Sequence, residues 1–341
     1  MKKVSLSDIA DRLGISKTVV SLVLNGKGKE SRISDELCER VMEVAKELNY
    51  HPNQIARGLR TGKTNTIGLI IADLANPFFG KLGREIENEA AAAGYRVMFC
   101  STDENVEKFK YQLKMLGQEL VDGLIISPPA GSEEQINVLE KSGKPYVLID
   151  RYFPKINSNS VVIDNFQAAH NATTHLIKKG YRKIACITLN NDLINMKERL
   201  NGYKKALGDA AIDADENLIK ILPFSHERNN IEAAIRELTT EGRRNADALF
   251  FTTSKAGILG LESIHSLGLS IPGDVAVVSF DDLDAYRISN PPVTAVAQPL
   301  KGIGEEAVRL LLEQINSKKR KNPRKRVVLK AKLIERKSSQ P

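Results

Sequence analysis

The chain has 341 residues and a formal net charge of +8, with 42% hydrophobic and 27% charged residues. This length is too great for one ordinary core and predicts two or three compact units, while the composition is typical of a soluble globular protein. The first residues lack the apolar run of a secretory signal, and no stretch approaches the roughly 20 apolar residues of a membrane span, so we expect a cytoplasmic protein without a membrane partner.

Residues 1–50 have the pattern of a small helical domain. A helix capped by Ser5 ends at Gly14, a second helix capped by Ser16 runs to about Asn25, and a third begins after Ser34. Two short helices joined by a turn with glycine are typical of a helix-turn-helix, in which the second helix enters the major groove of DNA. A purely structural helix pair remains the alternative at this point.

The second predicted helix has two chemically different sides. At about 100° per residue, one side is apolar and comprises Val19, Val20, Val23 and Leu24. The other side comprises Lys17, Thr18, Ser21, Leu22 and Asn25. Its short polar side chains allow a close approach to DNA, and the lysine can reach a guanine or a phosphate. The leucine offers only an apolar contact, most naturally with a thymine methyl group, so we expect A·T pairs opposite it.

Residues 51–64 are expected to form a linker. Pro52 interrupts the chain, Asn53 can cap a helix, and the apolar residues Ile55, Ala56 and Leu59 cover only two turns. Because an isolated helix of this length is marginal in water, we predict that the segment is helical only under some conditions.

From Thr66 onwards, strand-like and helical patterns alternate. Strands are predicted over 67–72, 95–100, 123–126 and 146–149, and then over 183–188, 218–222, 248–252 and 275–280. Such alternation predicts doubly wound parallel sheets, here in two lobes with the second beginning near Asp164. A ligand is expected between the lobes, beyond the carboxyl ends of the strands. A last strand is predicted over 327–334, after a basic stretch that we interpret as a solvated loop.

The sequence does not favour an enzyme. No phosphate-binding glycine motif follows a predicted strand, and the five histidines are scattered without a catalytic triad or a metal-ligand pattern. Cys38, Cys100 and Cys186 are far apart and odd in number, which predicts buried free thiols rather than disulfides or a metal site. We therefore expect no cofactor and no metal. A transport binding protein is the other alternative, but the helical N-terminal domain and the missing signal argue against it.

Short motifs follow one another in a fixed order from Ser5 to about Ser338. They include SDIADRLGIS (7–16), VSLVLN (20–25), LNYHPN (48–53), NPFF (76–79), VDGLII (121–126), VLIDR (147–151), RLNGY (199–203) and DVAVVSFDD (274–282). In this order they resemble the lac repressor family of bacterial transcription regulators, the lactose- and purine-repressor type. The resemblance implies a helix-turn-helix headpiece, a hinge helix, and a core of two doubly wound lobes similar to periplasmic binding proteins.

The resemblance also implies how the chain is divided and assembled. The headpiece would comprise residues 1–50 and the hinge residues 51–64. The first lobe of the core would comprise 65–163 and 296–323, and the second lobe 164–295 and 324–338. The expected assembly is a homodimer whose two headpieces bind the halves of a pseudo-palindromic operator in double-stranded DNA.

The DNA contacts implied by the resemblance lie in the headpiece and the hinge. They comprise Ser5, Ser16, Lys17, Thr18, Ser21, Leu22, Asn25, Asn53, Ala56, Leu59 and Arg60. In the hinge, Leu59 resembles the family's wedge into the central base step, Ala56 is small enough for close packing, and Arg60 could hold the minor groove. An apolar wedge unstacks a base step and bends the DNA onto more protein surface.

The effector site implied by the resemblance lies between the lobes. Phe78 and Phe79 would flank the ligand, Asp150, Arg199 and Asp281 would hold it, and Asn195 and Phe224 would line the site. Carboxylates and an arginine can hold neighbouring hydroxyl groups. The family often has an aspartate where Lys255 stands, and purine repressors have an arginine near Leu193, so both positions argue against a purine. The family's usual ligands and the carboxylates of the site favour a sugar or sugar phosphate. The ordinary alternatives are a core role for the phenylalanines and a loop-capping role for Asp281.

Overall fold

The computed structural model describes residues 4–50, 63–189, 192–223, 228–240, 246–317 and 324–341. The chain forms two compact units, Met1–Thr64 and Asn65–Pro341. Four predicted hinge residues, Asn53, Ala56, Leu59 and Arg60, lie outside the described residues, as does Phe224. Within the described ranges, no helix is both long enough and apolar enough to cross a membrane.

Between residues 4 and 50, the described part of the first unit contains three helices, α1 (Leu6–Leu13), α2 (Lys17–Leu24) and α3 (Asp35–Glu47). Each begins at a serine. The Ser5 hydroxyl and amide both donate to Asp8 at 2.7 Å, while the hydroxyl oxygens of Ser16 and Ser34 accept backbone N–H bonds from the first turns of their helices. Gly14, with φ of 64°, ends α1 in the left-handed conformation that glycine adopts without strain. The buried core of this unit consists of Ile9, Ala10, Val20, Val23, Val41 and Ala45.

The second unit contains two six-stranded sheets. The strands are β1 (Thr66–Ile71), β2 (Arg96–Ser101), β3 (Gly123–Ile126), β4 (Tyr146–Ile149), β5 (Ser160–Ile163), β6 (Ile184–Leu189), β7 (Ile219–Leu222), β8 (Ala248–Phe251), β9 (Ala276–Phe280), β10 (Thr294–Ala297), β11 (Arg326–Leu329) and β12 (Lys332–Ile334). The first sheet has the order β11-β5-β4-β3-β1-β2, and the second has the order β12-β10-β9-β8-β6-β7. All pairs are parallel except β10 with β12. The central strands are buried along their whole length, which is typical of parallel sheets covered on both faces.

The helices of the second unit alternate with these strands. They are α4 (Pro77–Ala92), α5 (Val106–Gln118), α6 (Glu133–Ser142), α7 (Asn165–Lys178), α8 (Ile194–Asp209), α9 (Arg228–Thr239), α10 (Ser254–Ser266), α11 (Asp284–Ile288) and α12 (Leu300–Asn316). The predicted alternation, and with it the two doubly wound lobes, is therefore confirmed. Cys186 is buried as expected, whereas Cys38 and Cys100 are only partly buried, and all three thiols are free.

The end of the chain differs from the sequence-based prediction. The single strand predicted over 327–334 is wrong, because β11 joins the first sheet beside β5 and β12 joins the second sheet beside β10. Each short strand supplies hydrogen-bond partners to the open edge of a different sheet. The predicted division places residues 324–338 in the second lobe, whereas β11 lies in the first sheet. It also returns the chain to the first lobe at residue 296, which lies within β10, whereas the whole of β10 belongs to the second sheet.

The two sheets have the same strand order, so each strand of the first has a counterpart in the second. In this correspondence β4 matches β9 and β3 matches β8. Because the carboxyl ends of parallel strands meet at one edge, the loops after β4 and β9 are equivalent positions. Asp150 follows β4 directly, and Asp281 follows β9 directly.

Candidate functional site

The outward side of α2 is the candidate DNA-reading surface. Lys17 and Thr18 are exposed, while Ser21, Leu22 and Asn25 are half-buried. Leu22 does not belong to the apolar cluster of the first unit, so its side chain does not contribute to that core. Val19 was assigned to the inner side, yet it is also only half-buried and lies outside the cluster.

Some of the polar side chains on this surface make hydrogen bonds within the helix itself. The Asn25 side-chain amide donates to the Ser21 carbonyl at 2.6 Å and to the Ser21 hydroxyl at 3.3 Å. The Ser16 hydroxyl accepts from the Val19 N–H at 3.2 Å. Lys17 and Thr18 are therefore the best placed of these polar side chains for an external partner.

A cleft between the two lobes of the second unit is the candidate ligand site. It has an empty volume of about 570 Å³, including space open to solvent. Its lining comprises Ala72, Asp73, Asn76, Phe78, Phe79, Glu104, Asp150, Arg151, Leu189, Leu193, Asn195, Met196, Arg199, Thr253, Ser254, Lys255 and Asp281. All six described residues of the predicted effector site, Phe78, Phe79, Asp150, Asn195, Arg199 and Asp281, are thus brought together there.

Asp150 and Asp281 are the central acidic groups of the cleft. Both have φ of 65°, and both are only 7% exposed. Such a left-handed backbone is uncommon for residues other than glycine, although aspartate tolerates it better than most, and it turns the chain sharply at the strand end. Asp281 accepts a hydrogen bond from Gln298 at 2.7 Å. Burial raises the pKa of Asp281, and the neighbouring positive charge of Arg199 opposes this shift.

Arg199 is held rigidly on the second lobe. Its Nε donates to Asn165 Oδ1 at 2.8 Å, and its Nη1 donates to the Thr252 carbonyl at 2.7 Å. The guanidinium carbon lies 3.7 Å from the centre of the Phe280 ring. Burial lowers the pKa of Arg199 and Asp281 counteracts this, and an arginine stays charged in either case. The cleft therefore presents a fixed cation beside Asp281.

A second buried arginine was missed by the sequence analysis. Arg151 donates from Nη1 to Glu104 at 2.5 Å and from Nε to Asp150 at 3.1 Å. Burial by itself lowers the pKa of Arg151, but the two carboxylates outweigh it and the net shift is upwards. Its place directly after Asp150 was a usable signal, whereas Glu104 comes from a distant loop and gave none.

The phenylalanine pair both packs in the core and lines the cleft. Phe78 and Phe79 lie in the first turn of α4, are 5% and 4% exposed, and pack edge to face with ring centres 4.9 Å apart. Asn76 caps this helix by accepting the Phe78 N–H at 3.0 Å. A core role and a place in the lining of the cleft are therefore compatible for these two phenylalanines.

Several polar contacts cross the cleft from one lobe to the other. The Asn195 amide lies 3.4 Å from both oxygens of Asp150. The Ser254 hydroxyl lies 3.4 Å from Asn76 Oδ1, and the Lys81 ammonium group lies 2.8 Å from Asp284 Oδ1. The relative position of the lobes thus depends on side chains in or beside the cleft.

Two family models match the chain. Residues 5–53 match the model described as bacterial regulatory proteins, lacI family, and residues 173–339 match a periplasmic binding protein-like domain. The matches coincide with the helical first unit and with much of the second.

Curated relatives cover almost the whole chain. The HTH-type transcriptional regulator DegA of Bacillus subtilis (strain 168) is 32% identical over 342 residues, covering 99% of each protein. The HTH-type transcriptional repressor PurR of Aliivibrio fischeri (strain MJ11) is 32% identical over 317 residues, covering 92% of each.

Solved structures agree with this similarity. A complex of the transcriptional regulator CelR with cellobiose has a TM-score of 0.73 at 28% identity, covering 98% of this chain and all of the other. The lac repressor dimer bound to operator and the anti-inducer ONPF has a TM-score of 0.87 over both whole chains, and its 23% identity supports the fold alone.

Proposed function

Because the chain belongs to the LacI family of bacterial transcription regulators, we propose that it is a repressor whose operator affinity is controlled by a small effector in the cleft. Its relatives are regulators rather than enzymes, and the chain is not an enzyme. The observation that carries the proposal is the cleft itself, where Asp150 and Asp281 project from equivalent strand ends beside Arg199.

On the DNA side, α2 is the reader of the major groove. Lys17 and Thr18 supply most of the hydrogen bonds to bases and phosphates, supported by their exposure on the outward side of the helix. Leu22 contacts a thymine methyl group. Ser5 and Ser16 lie at helix starts, where free backbone N–H groups favour phosphate.

The active species is a homodimer on a pseudo-palindromic operator, as in the lac repressor dimer with its operator. Both sheets end in an edge strand with an exposed apolar side chain, Phe99 on β2 and Ile221 on β7, and a second copy of the chain would cover such groups. Minor-groove contacts by Asn53, Ala56, Leu59 and Arg60 are proposed from the family resemblance, because these residues lie outside the described part of the chain.

The effector is an uncharged sugar rather than a sugar phosphate. Among the described residues that line the cleft, four carboxylates (Asp73, Glu104, Asp150 and Asp281) face three cations (Arg151, Arg199 and Lys255). A phosphate would add negative charge to a site where acidic groups already exceed basic groups. Hydroxyl groups, in contrast, can donate to the buried carboxylates.

The relatives include both classes. Among them are five PurR repressors and two ribose operon repressors, and the CelR structure contains cellobiose. Leu193 packs with Leu189 and Met196 on one side of the cleft, so this wall offers apolar contact to a sugar face rather than an arginine to a purine.

The mechanism is a shift between two arrangements of the lobes. The effector favours one arrangement, and the two arrangements differ in the operator affinity of the headpieces. Because coupling between two binding sites is reciprocal, a sugar inducer that weakens operator binding is itself bound more weakly by the DNA complex.

Two experiments test the proposal. Selection from a random DNA pool should yield a pseudo-palindromic site whose affinity falls steeply with salt. A thermal-shift screen with sugars, sugar phosphates and purines should then identify a binder, because a ligand of the native state raises its melting temperature. The absence of any sequence-selective, salt-sensitive DNA binding would refute the regulator; stabilisation by phosphates or purines alone would refute the sugar.

A further inference from the structure

The short helix α11 carries a tyrosine whose hydroxyl lies deep in the second lobe. Tyr286 is fully buried, and its hydroxyl donates to the Ser254 carbonyl at 3.1 Å and lies 2.8 Å from the Ser279 hydroxyl. Burial raises the pKa of this phenol, so it remains a hydrogen-bond donor at physiological pH. A buried phenol needs such partners, but here one of them is a residue that lines the cleft.

Ser254 links this tyrosine to the other lobe. It is the first residue of α10 and is 1% exposed, with its carbonyl held by Tyr286 and its hydroxyl 3.4 Å from Asn76 Oδ1. The same oxygen of Asn76 accepts the Phe78 N–H at 3.0 Å and so caps α4. A chain of hydrogen bonds therefore runs from Tyr286 through Ser254 to the start of the helix that carries both cleft phenylalanines.

A glycine in α10 leaves room for the Tyr286 hydroxyl beside Ser254. Gly257 lies one turn after Ser254, and a Cβ atom at this position would come within 2.2 Å of both the Tyr286 hydroxyl and the Ser279 hydroxyl. Only glycine leaves room for the two hydroxyl groups beneath α10. On the opposite side of α11, Asp284 pairs with Lys81 of the first lobe at 2.8 Å.

We propose that Tyr286 is a positioning residue for effector binding, which fixes Ser254 so that the second lobe closes on Asn76 and Phe78 around a bound sugar. The proposal rests on the proposed function, since it assigns the closure of the same cleft. Tyr286 does not line the cleft and acts only through Ser254.

The test compares Tyr286→Phe with Tyr203→Phe in the full-length protein. Tyr203 is also a fully buried tyrosine of the second lobe, and its hydroxyl donates to the Ile184 carbonyl at 2.7 Å without a link to the first lobe. Each variant loses one buried hydroxyl and leaves its partners without that hydrogen bond, so both should lower the melting temperature.

The first readout is sugar binding, measured by calorimetry with ribose, glucose, galactose and cellobiose as probes. Tyr286→Phe should weaken the binding of any sugar that binds the wild type by about tenfold, equivalent to about 1.4 kcal/mol. Tyr203→Phe should stay within about twofold, and both variants should keep wild-type operator affinity in sugar-free buffer. Equal losses of sugar affinity in the two variants would overturn the proposal.

The second readout needs no ligand. Hydrogen exchange of the Phe78 amide, across the cleft from the substitution, should be faster in Tyr286→Phe and unchanged in Tyr203→Phe. An unchanged exchange rate of the Phe78 amide in both variants would overturn the proposal that Tyr286 acts through Ser254, even if a sugar binds. If the wild type binds neither DNA nor sugar, the proposed function fails. The difference in Phe78 amide exchange between Tyr286→Phe and Tyr203→Phe still decides whether Tyr286 holds the contact between the lobes.

Discussion

At the scale of single residues, the cleft depends on buried charges that balance one another. Arg151 and Glu104 have side chains that are 7% and 8% exposed, and Asp150 completes the group. Removing one partner of a buried pair leaves a charge with neither water nor a counter-charge, which costs far more than breaking an exposed pair. The missed Glu104 therefore belongs to the stability of the site as well as to its lining.

Glu104→Gln should lower the free energy of unfolding by about 3 kcal/mol. Lys301 and Glu305 form an exposed pair at 3.7 Å on α12, and Glu305→Gln provides the control with an expected loss below about 1 kcal/mol. Urea denaturation measures both. A loss for Glu104→Gln no larger than that of the control would mean that Arg151 is satisfied by Asp150 alone.

A second prediction at this scale concerns the base pair opposite Leu22 in the operator. Sites selected from a random pool should carry an A·T pair opposite Leu22 in each half, because a leucine can contact the thymine methyl group but cannot hydrogen-bond to guanine. A required G·C pair there would show that another side chain reads this position.

The family resemblance identified Asp150 and Asp281 as cleft residues, and their places in the chain agree with that assignment. Asp150 and Asp281 each follow an apolar strand, and parallel strands bring their carboxyl ends to one edge. Glu104 and Ser254 reach the cleft only through tertiary packing of loops and helix starts, which no local pattern encodes. Tyr286 lies one step further away and is visible only through its hydrogen bonds.

At the scale of elements, α2 is the capped helix that we propose reads the DNA. Lys17 is the first residue of the helix, it is exposed, and the Ser16 cap fixes the helix start beside it. If Lys17 contacts a phosphate, Lys17→Met should weaken binding to all DNA sequences and reduce the magnitude of the slope of log affinity against log salt by about 0.9.

Salt-dependent anisotropy on selected and unrelated DNA measures this slope. Lys46, on α3, carries the same charge away from the reading surface, so Lys46→Met is the matched control and should leave the slope unchanged. Identical slopes in the wild type and Lys17→Met would exclude a phosphate contact by Lys17.

The end of the chain is anchored on α7 by a buried histidine. His175 Nε2 lies 2.8 Å from the Ser339 hydroxyl, and its Nδ1 lies 3.5 Å from Glu335, which also faces Lys179. Burial lowers the pKa of His175, and Glu335 only partly opposes this. The neutral form is thus favoured by folding, so this stability is present above about pH 6.5 and is lost as the pH falls below that value.

His175→Gln should therefore flatten the loss of stability between pH 7 and pH 5. Urea unfolding of both proteins across this range gives the comparison, and the carboxylates common to both cancel in the difference. Parallel pH profiles would contradict this, because they would show that the pKa of His175 is the same in the folded and the unfolded chain.

The elements themselves followed from apolar periodicity, with bounds close to those predicted. The prediction of one strand over 327–334 is wrong for a physical reason. Both short strands have the same alternating pattern, and they differ only in the sheet whose open edge each one pairs with. Edge pairing is a tertiary property, and the pattern alone cannot report it.

At the scale of the whole molecule, the cleft and the DNA-reading helix belong to separate compact units. Control of one by the other requires an effector that distinguishes two arrangements of the chain, because a ligand with equal affinity for both shifts neither. Sequence similarity over nearly the full chain assigns the class of protein, whereas the identity of the effector depends on the chemistry of a few cleft residues.

Control of operator binding by the cleft is tested most directly by measuring operator affinity of the wild type and of Asp281→Asn while a sugar that binds the wild type is added. We expect the sugar to weaken wild-type operator affinity by about 5- to 150-fold. Asp281→Asn should bind the operator with wild-type affinity and show no response. A wild type whose operator affinity is indifferent to a cleft-bound sugar, or a variant that responds as the wild type does, would contradict it.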